Sequence, residues 1–355
     1  MTEAKKVKVL IVDDSAVIRQ ILTQIISNHD DLEVVGTAAD PYIAREKIKQ
    51  LVPDVITLDV EMPRMDGITF LKNLMRLRPM PVIMISTLTE AGADITLEAL
   101  QIGAFDYLPK PKENLGKGLV EYEREIVSKI RAAAEANIQR LEMNSLRAKA
   151  DGRIQPVKAP NYAPKKDVII AIGASTGGTE AIKEVLQGLP ANCPPVVVTQ
   201  HIPPQFSTSY AQRMNNCCAM VVHEATSNQT LLPGNVYIAP GDRHLTIRKT
   251  SAGLVTQLDD SEKVNRHRPS VEVMFDSITA LGYRKTVAVL LTGMGADGAR
   301  ALLRMKELGC HTIIQDEATS VVWGMPGAAY HLGAYSEVKP LETIAERLLQ
   351  LTNKH

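Results

Sequence analysis

The sequence predicts an α/β protein made of two doubly wound parallel-sheet domains, the second larger than the first. Three observations carry this expectation. At 355 residues the chain is about twice a usual domain length. Short apolar runs alternate with amphipathic stretches of helical spacing, in two separate blocks. Between the blocks lies "DGRIQPVKAPNYAPKKD", whose prolines and charges read as an exposed linker rather than packed core.

In the first block, "VKVLIVDD", "LEVVGTA", "DVITLDV", "PVIMIST" and "FDYLPKP" read as strands. Between them "AVIRQILTQIIS", "YIAREKIKQL", "GITFLKNLMRL" and "ADITLEALQIG" place apolar residues at helical spacing, so the repeating order implies a parallel sheet. "EYEREIVSKIRAAAEANIQRLEMNSLRAKA" then changes character. It is a strong helix former with Val127, Ile130 and Ala134 on one stripe and Glu125 one turn before Lys129, and is expected to be a connector helix. In the second block "DVIIAIG", "PPVVVTQH" and "TVAVLLTG" read as strands and "TEAIKEVLQGL" and "GARALLRMKELG" as helices. The expected boundaries are 1–125 for the first domain, 126–166 for connector helix and linker, and 167–355 for the second.

Composition excludes several classes. Lys plus Arg and Asp plus Glu each number 40, with no long basic run, which argues against nucleic-acid binding. Aromatics at 4% provide no stacking platform for single strands or sugars. The opening "MTEAKKVKVL" has no apolar signal region, and no uninterrupted 18-residue apolar stretch follows, so a cytoplasmic chain without membrane insertion is expected. Cys193, Cys217, Cys218 and Cys310 lack C-x-x-C spacing and read as reduced thiols rather than zinc ligands or disulfides.

In a parallel sheet all strands end at one edge, so residues distant in sequence converge there. In the first block these are Asp13 and Asp14, Asp59, Ser86, and Lys110 before Pro111. Crowded carboxylates repel unless a cation lies among them, and hard oxygen ligands suit Mg²⁺. One carboxylate, Asp59, can then attack a phosphoryl group while Lys110 and Ser86 meet its oxygens. Taken singly, Asp13 or Asp14 can instead cap a helix, and Asp66-Gly67 can form a turn. As a set, "VLIVDDS", "LDVEMPRMDG", "MIST" and "YLPKP" resemble, in order and spacing, the receiver domain of bacterial response regulators over residues 7–125. The resemblance implies a flavodoxin-like fold, phosphorylation of Asp59 by a histidine kinase, and Mg²⁺ held by Asp13, Asp14 and Asp59. It also implies Ser86 and Lys110 on the phosphoryl group, Tyr107 as the switch aromatic, and a cis bond before Pro111.

The second block opens with "IGASTGGTEAI". A dinucleotide fingerprint needs glycine where Ser175 stands and an acid at the end of the next strand, where Gln200 and His201 stand instead. A Walker loop fails too, since no Lys-Ser/Thr pair follows the glycines. Two readings remain: a tight turn with Ser175 or Thr179 as helix cap, or Gly173, Ser175 and Gly177 as a nucleophile elbow. A nucleophilic serine needs a base, and His201 ends the next apolar strand. An orienting acid follows in "LLTGMGADGARALL", which carries Asp297 to the same edge. His223, His244, His267, His311 and His331 are rival bases, His267 the least suitable because Arg266 and Arg268 flank it. Taken alone, His201 reads equally as a loop histidine and Asp297 as a helix cap. The order Ser, His, Asp differs from that of α/β-hydrolases.

"AIGASTGGTEAI", "TQHIPP", "YIAPGDRH", "NRHRPSV" and "LLTGMGADGA" resemble the catalytic domain of the CheB family, the chemotaxis protein-glutamate methylesterases, over residues 167–350. The resemblance implies Ser175 as nucleophile, His201 as general base and acid, Asp297 as its orienting partner, and Met294 bordering the active site with a backbone N–H for the oxyanion. It implies hydrolysis of glutamate methyl esters on chemoreceptors, deamidation of receptor glutamines, and no cofactor for that step. Thr176, Arg266 and Arg268 are candidate substrate contacts. A transcriptional regulator would need a smaller, basic helix-turn-helix output domain in place of this long, near-neutral one; a hydrolase of small soluble esters is argued against by the resemblance alone. Because one chain joins a phosphoryl switch to a hydrolase, the unphosphorylated receiver is expected to restrain the esterase.

Overall fold

The computed structural model describes residues 5–87, 90–110, 118–141, 162–251 and 253–354. The chain divides into two compact units, Met1–Ala150 and Asp151–His355.

The first unit alternates strand and helix: β1 (Val7–Val12), α1 (Ala16–Ser27), β2 (Leu32–Ala38), α2 (Pro41–Leu51), β3 (Val55–Asp59), α3 (Gly67–Leu77), β4 (Val82–Ser86), α4 (Glu90–Ile102), β5 (Asp106–Pro109) and α5 (Gly118–Ala134). Every strand pairing is parallel, in the order β2-β1-β3-β4-β5. The central strands β3 and β4 are buried along their whole length, as strands covered on both faces must be, which is why they read as unbroken apolar runs. Ser15 caps α1 by accepting from Ile18 N–H at 3.4 Å, so neither Asp13 nor Asp14 is that helix cap. Asp66 caps α3, accepting from Thr69 N–H at 2.7 Å, as the turn reading of Asp66-Gly67 allowed.

The segment expected as connector helix and linker is described at its two ends. Up to Ala134 it is α5, which packs on β1, β3, β4 and α1 and buries Tyr122, Ile126, Val127, Ile130 and Ala133. Ile126, Val127 and Ile130 each contribute about 1.5–3 kcal/mol on burial, enough to bind the helix to its sheet. At the other end, residues 162–166 are hydrogen-bonded to the second unit. Tyr162 Oη meets Thr352 Oγ1 at 2.7 Å and Lys165 N–H donates to Thr352 O at 2.7 Å, tying the segment to the final helix. Residues 142–161 and the Lys110–Pro111 bond, expected to be cis, lie outside the described residues.

The second unit holds a seven-stranded parallel sheet in the order β14-β13-β12-β6-β7-β9-β8. Its strands are β6 (Ile169–Ala174), β7 (Val196–Gln200), β8 (Val221–Glu224), β9 (Asn235–Ile238), β12 (Thr286–Leu290), β13 (His311–Gln315) and β14 (Glu337–Lys339). The helices are α6 (Gly178–Gln187), α7 (Pro204–Cys217), α8 (Val271–Ala280), α9 (Ala299–Leu308), α10 (Met325–His331) and α11 (Leu341–Thr352). An antiparallel hairpin, β10 (His244–Thr250) and β11 (Gly253–Asp259), stands apart as a second sheet beside α8. All four cysteines are free thiols. Among the described residues no helix is long and apolar enough to cross a membrane.

Candidate functional site

Ser175 follows the last residue of β6, and His201 the last residue of β7. These strands are parallel neighbours with Ala174 opposite Gln200, so the two side chains emerge side by side at the sheet edge. His201 Nδ1 lies 3.1 Å from Ser175 Oγ, and His201 Nε2 lies 2.8 Å from Asp297 Oδ2. The elbow exists because glycine permits it. Gly177 has φ 75° and faces Val321, so a side chain there would be strained and would collide. At Gly173 a Cβ would fall 2.2 Å from Val271 Cγ1; its absence lets the first residue of α8 approach the strand.

That approach matters for Asp297. Its carboxylate accepts from Val271 N–H at 2.7 Å, Ser270 Oγ at 2.8 Å and Asn265 Nδ2 at 2.8 Å, besides His201. Burial opposes ionisation of Asp297, but the His201, Asn265 and Ser270 hydrogen bonds outweigh it and hold the carboxyl well below the usual range. Facing a carboxylate, His201 carries its proton on Nε2 and presents the Nδ1 lone pair to Ser175. The ring is thus turned relative to the commoner arrangement in which Nδ1 faces the acid. Gln200 fixes the elbow backbone from below, donating from Nε2 to Ser175 O at 2.9 Å and to His201 O at 3.3 Å.

Ser175 N–H donates to Thr292 O at 3.0 Å, so the loop after β12, which carries the half-buried Met294, is pinned to the elbow. Thr176 is buried, and its carbonyl accepts from Thr292 Oγ1 at 3.1 Å. Arg266 is exposed on the turn beside Asn265, with φ 72°. Arg268 is differently employed: it pairs with Asp242 at 2.9 Å and donates to the carbonyls of Asp260 and Ser261, which makes it a brace for the loops. Among the rival bases His223 meets Asn235, His244 meets Ser270 N–H, and His311 meets Glu337. His267 stacks on His201 with ring centroids 3.7 Å apart. Sequence patterns do not reveal the roles of Asn265, Ser270 and Gln200. The first two stand in "NRHRPSV" and the third one residue before His201, but nothing local marks their hydrogen-bond targets.

The first unit carries the acidic cluster at its own strand ends. One carboxylate oxygen from each of Asp13, Asp14 and Asp59 lies within 4.8 Å of the others. Lys110 Nζ donates to Asp59 Oδ2 at 2.7 Å and stands 3.8 Å from Asp13 Oδ2. Burial, reinforced by Asp13, pushes Asp59 up to about 6 although Lys110 opposes it, and burial raises Asp13 as well. Asp13 Oδ2 is buried without a hydrogen-bond partner. An orphaned carboxylate oxygen among like charges fits a divalent cation. Ser86 is buried at the end of β4, and Lys110 N–H bonds to its carbonyl at 2.8 Å. Tyr107 is buried beneath Lys129, whose Nζ lies 5.3 Å from its ring centroid and 2.7 Å from its carbonyl oxygen.

Comparison with known proteins agrees with both halves. The family model described as CheB methylesterase matches residues 170–348, and that of the response regulator receiver domain matches residues 9–117. The chain is 55% identical to protein-glutamate methylesterase/protein-glutamine glutaminase 2 of Xanthomonas oryzae pv. oryzae, over 99% of both chains. It is 56% identical to the similarly named protein of Saccharophagus degradans, over 98% of this chain and 99% of that one. The crystal structure of the Thermotoga maritima CheB methylesterase catalytic domain matches 53% of this chain and all of its own, with a TM-score of 0.51 and 39% identity. The chain therefore belongs to the CheB methylesterase family, with a response regulator receiver domain ahead of its esterase domain.

Proposed function

We propose that Ser175, His201 and Asp297 carry out the protein-glutamate methylesterase and protein-glutamine glutaminase activity for which the family is named. The observation that carries this reading is the unbroken relay from Ser175 Oγ through His201 to Asp297, at 3.1 and 2.8 Å. Ser175 Oγ attacks the γ-carbonyl of a glutamyl methyl ester as its proton passes to His201 Nδ1. The charge of Asp297 then stabilises the imidazolium. Collapse of the tetrahedral intermediate breaks the bond to methoxide, which leaves as methanol with the proton from Nδ1. Water, deprotonated at the same nitrogen, cleaves the acyl-enzyme to glutamate and restores the Ser175 hydroxyl. An amide follows the same course with ammonia leaving, which accounts for glutaminase activity at one site. The α6 N-terminus directly behind the elbow favours negative charge at the oxyanion, and Met294 borders that position.

The receiver supplies control. Asp59 is the phosphoryl acceptor, with Asp13, Asp14 and Asp59 as the carboxylates that would hold Mg²⁺. Bound there, the ion would neutralise charge on the phosphoryl oxygens. Lys110, which donates to Asp59, would neutralise another oxygen, and Ser86, at the end of β4, would hydrogen-bond a third. The phosphodonor is a chemotaxis histidine kinase, and the substrates are methylated chemoreceptors. Methanol release from methylated receptor membranes, measured with and without a phosphodonor and beside small soluble esters, tests the reading. Turnover of small esters at the same efficiency as receptors would refute the assignment of a protein substrate.

A further inference from the structure

The loop that braces the acid also covers the base. Val264 N–H donates to His267 O at 3.1 Å and His267 N–H to Val264 O at 2.9 Å, closing a two-residue turn. Its central residues are Asn265 at φ 51° and Arg266 at φ 72°. Consecutive left-handed residues between a reciprocal pair make a type I′ turn, whose second position favours glycine. Arginine there is held against its own backbone preference, and such strain persists where surrounding contacts over-determine it. The contacts are on both sides of the tip. Asn265 Nδ2 donates to Asp297 Oδ1 at 2.8 Å, and the His267 ring lies on the His201 ring at 3.7 Å between centroids and 14° between planes.

We infer that His267 is a positioning residue for the general base, acting through this stack. His201 works only with Nδ1 toward Ser175 and Nε2 toward Asp297; turning the ring about Cβ–Cγ replaces a nitrogen by a carbon at each contact. That rotation must sweep the ring edge through the space that the face of His267 fills. The stack also helps to leave the His201 side chain only 8% exposed, keeping water from competing for Nδ1. The turn therefore sets both hydrogen-bonded ends of the relay from one element: Asn265 fixes the acid and His267 fixes the plane of the base. His267, the least suitable of the rival bases by its charged neighbours, is then a wall for the base rather than a proton carrier.

The inference rests on His201 being the general base, and the experiment separates the two. Methanol release from methylated receptor membranes is measured for the full chain and for His201→Ala, His267→Ala and His267→Phe. His201→Ala is expected to lose about 10⁴-fold in kcat. His267→Ala is expected to lose about 10- to 100-fold in kcat with KM within about twofold, the scale of a misplaced catalytic group. His267→Phe keeps a flat face without ring nitrogens and is expected to recover to within about threefold of the parent. With ¹⁵N-labelled histidine, His201 of the parent shows one tautomer, protonated on Nε2, and His267→Ala mixes the two. Should the alanine chain not fold, His267→Asn, which also lacks the flat face, carries the same expectations. His267→Ala within about twofold of the parent, or His267→Phe as slow as His267→Ala, overturns the inference while leaving His201 as base. An active His201→Ala overturns the base itself.

Discussion

Replacing Asp297 by asparagine isolates the charge of the orienting acid, because the surroundings dictate how the amide must sit. Asp297 receives donors only: His201 Nε2, Val271 N–H, Ser270 Oγ, Asn265 Nδ2 and, at 3.4 Å, Glu272 N–H. Val271 N–H shares Oδ2 with His201 and, as backbone, cannot turn away. The amide oxygen must therefore take that side, so His201 keeps its proton on Nε2 and its orientation. On the other side the new NH₂ meets the rotatable Ser270 hydroxyl, while Glu272 N–H and Asn265 Nδ2, which Glu272 Oε2 also engages at 3.2 Å, are left as donors facing a donor. What is lost is the negative charge beside the developing imidazolium. With charge centres about 4 Å apart and an effective dielectric near 20, that attraction is about 4 kcal/mol. A loss of this size lowers kcat about 10³-fold. The assay is kcat for methanol release at neutral pH, with thermal unfolding to establish that the variant is folded. A loss of less than about tenfold would show that the charge of Asp297 does not act on the transition state.

Ser175→Ala is expected to lower turnover about 10⁴- to 10⁶-fold with nearly unchanged thermal unfolding. Among the described residues the Ser175 hydroxyl bonds only to His201, and near-normal methanol release by the folded variant would return the elbow to a purely structural turn. Asp59→Asn is expected to abolish stable phosphorylation while basal esterase activity survives, since the acceptor and the relay lie in different units; acid-labile label at full stoichiometry would refute the assignment. Glu337 pairs with Arg347, Lys339 and His311, and the Arg347 hydrogen bonds chiefly hold its carboxyl down to about 2 from the usual 4.5. A folded pKa below the unfolded one adds stability that is fully present above pH 4.5 and is lost as pH falls through about 2. The full shift would be about 3 kcal/mol, which solvent screening at this partly exposed site reduces to about 1 kcal/mol. Urea unfolding of Glu337→Gln should accordingly show a loss between pH 7 and pH 3 smaller than the parent's by part of that amount, the remainder being lost only as pH falls further through about 2. Equal losses would mean the cluster contributes nothing.

Some of this protein is written locally and some is not. Strands β3, β4, β6, β7 and β12 are buried along their whole length, so each appears as a nearly continuous apolar run that needs no partner to be recognised. The short strands β8, β9, β13 and β14 and the hairpin β10–β11 are not marked as strands by the sequence: β8, β10, β11 and β14 mix polar with apolar residues, and β8 and β14 pair with strands outside their immediate chain neighbourhood, whereas β10 and β11 pair with each other. Helix α5 shows the same limit, because its apolar stripe announces a buried face without naming the sheet that buries it.

The site divides along the same line. Glycines at 173 and 177 around Ser175, a histidine at the end of the next strand, and carboxylates at three positions of one sheet edge are local patterns, and parallel-sheet geometry alone brings them together. They point to the candidate residues and to the two-unit plan. Tertiary structure decided what sequence periodicity carries no information about: which nitrogen of His201 faces Ser175, that Asn265 and Ser270 hold Asp297, that Arg268 braces loops, and that His267 lies flat on the base. The physical reason is that hydrogen-bond direction and ring stacking depend on side-chain rotamers, set by contacts such as that of His201 with Asp297, 96 positions apart, whereas strand and helix patterns are set by neighbours a few residues away.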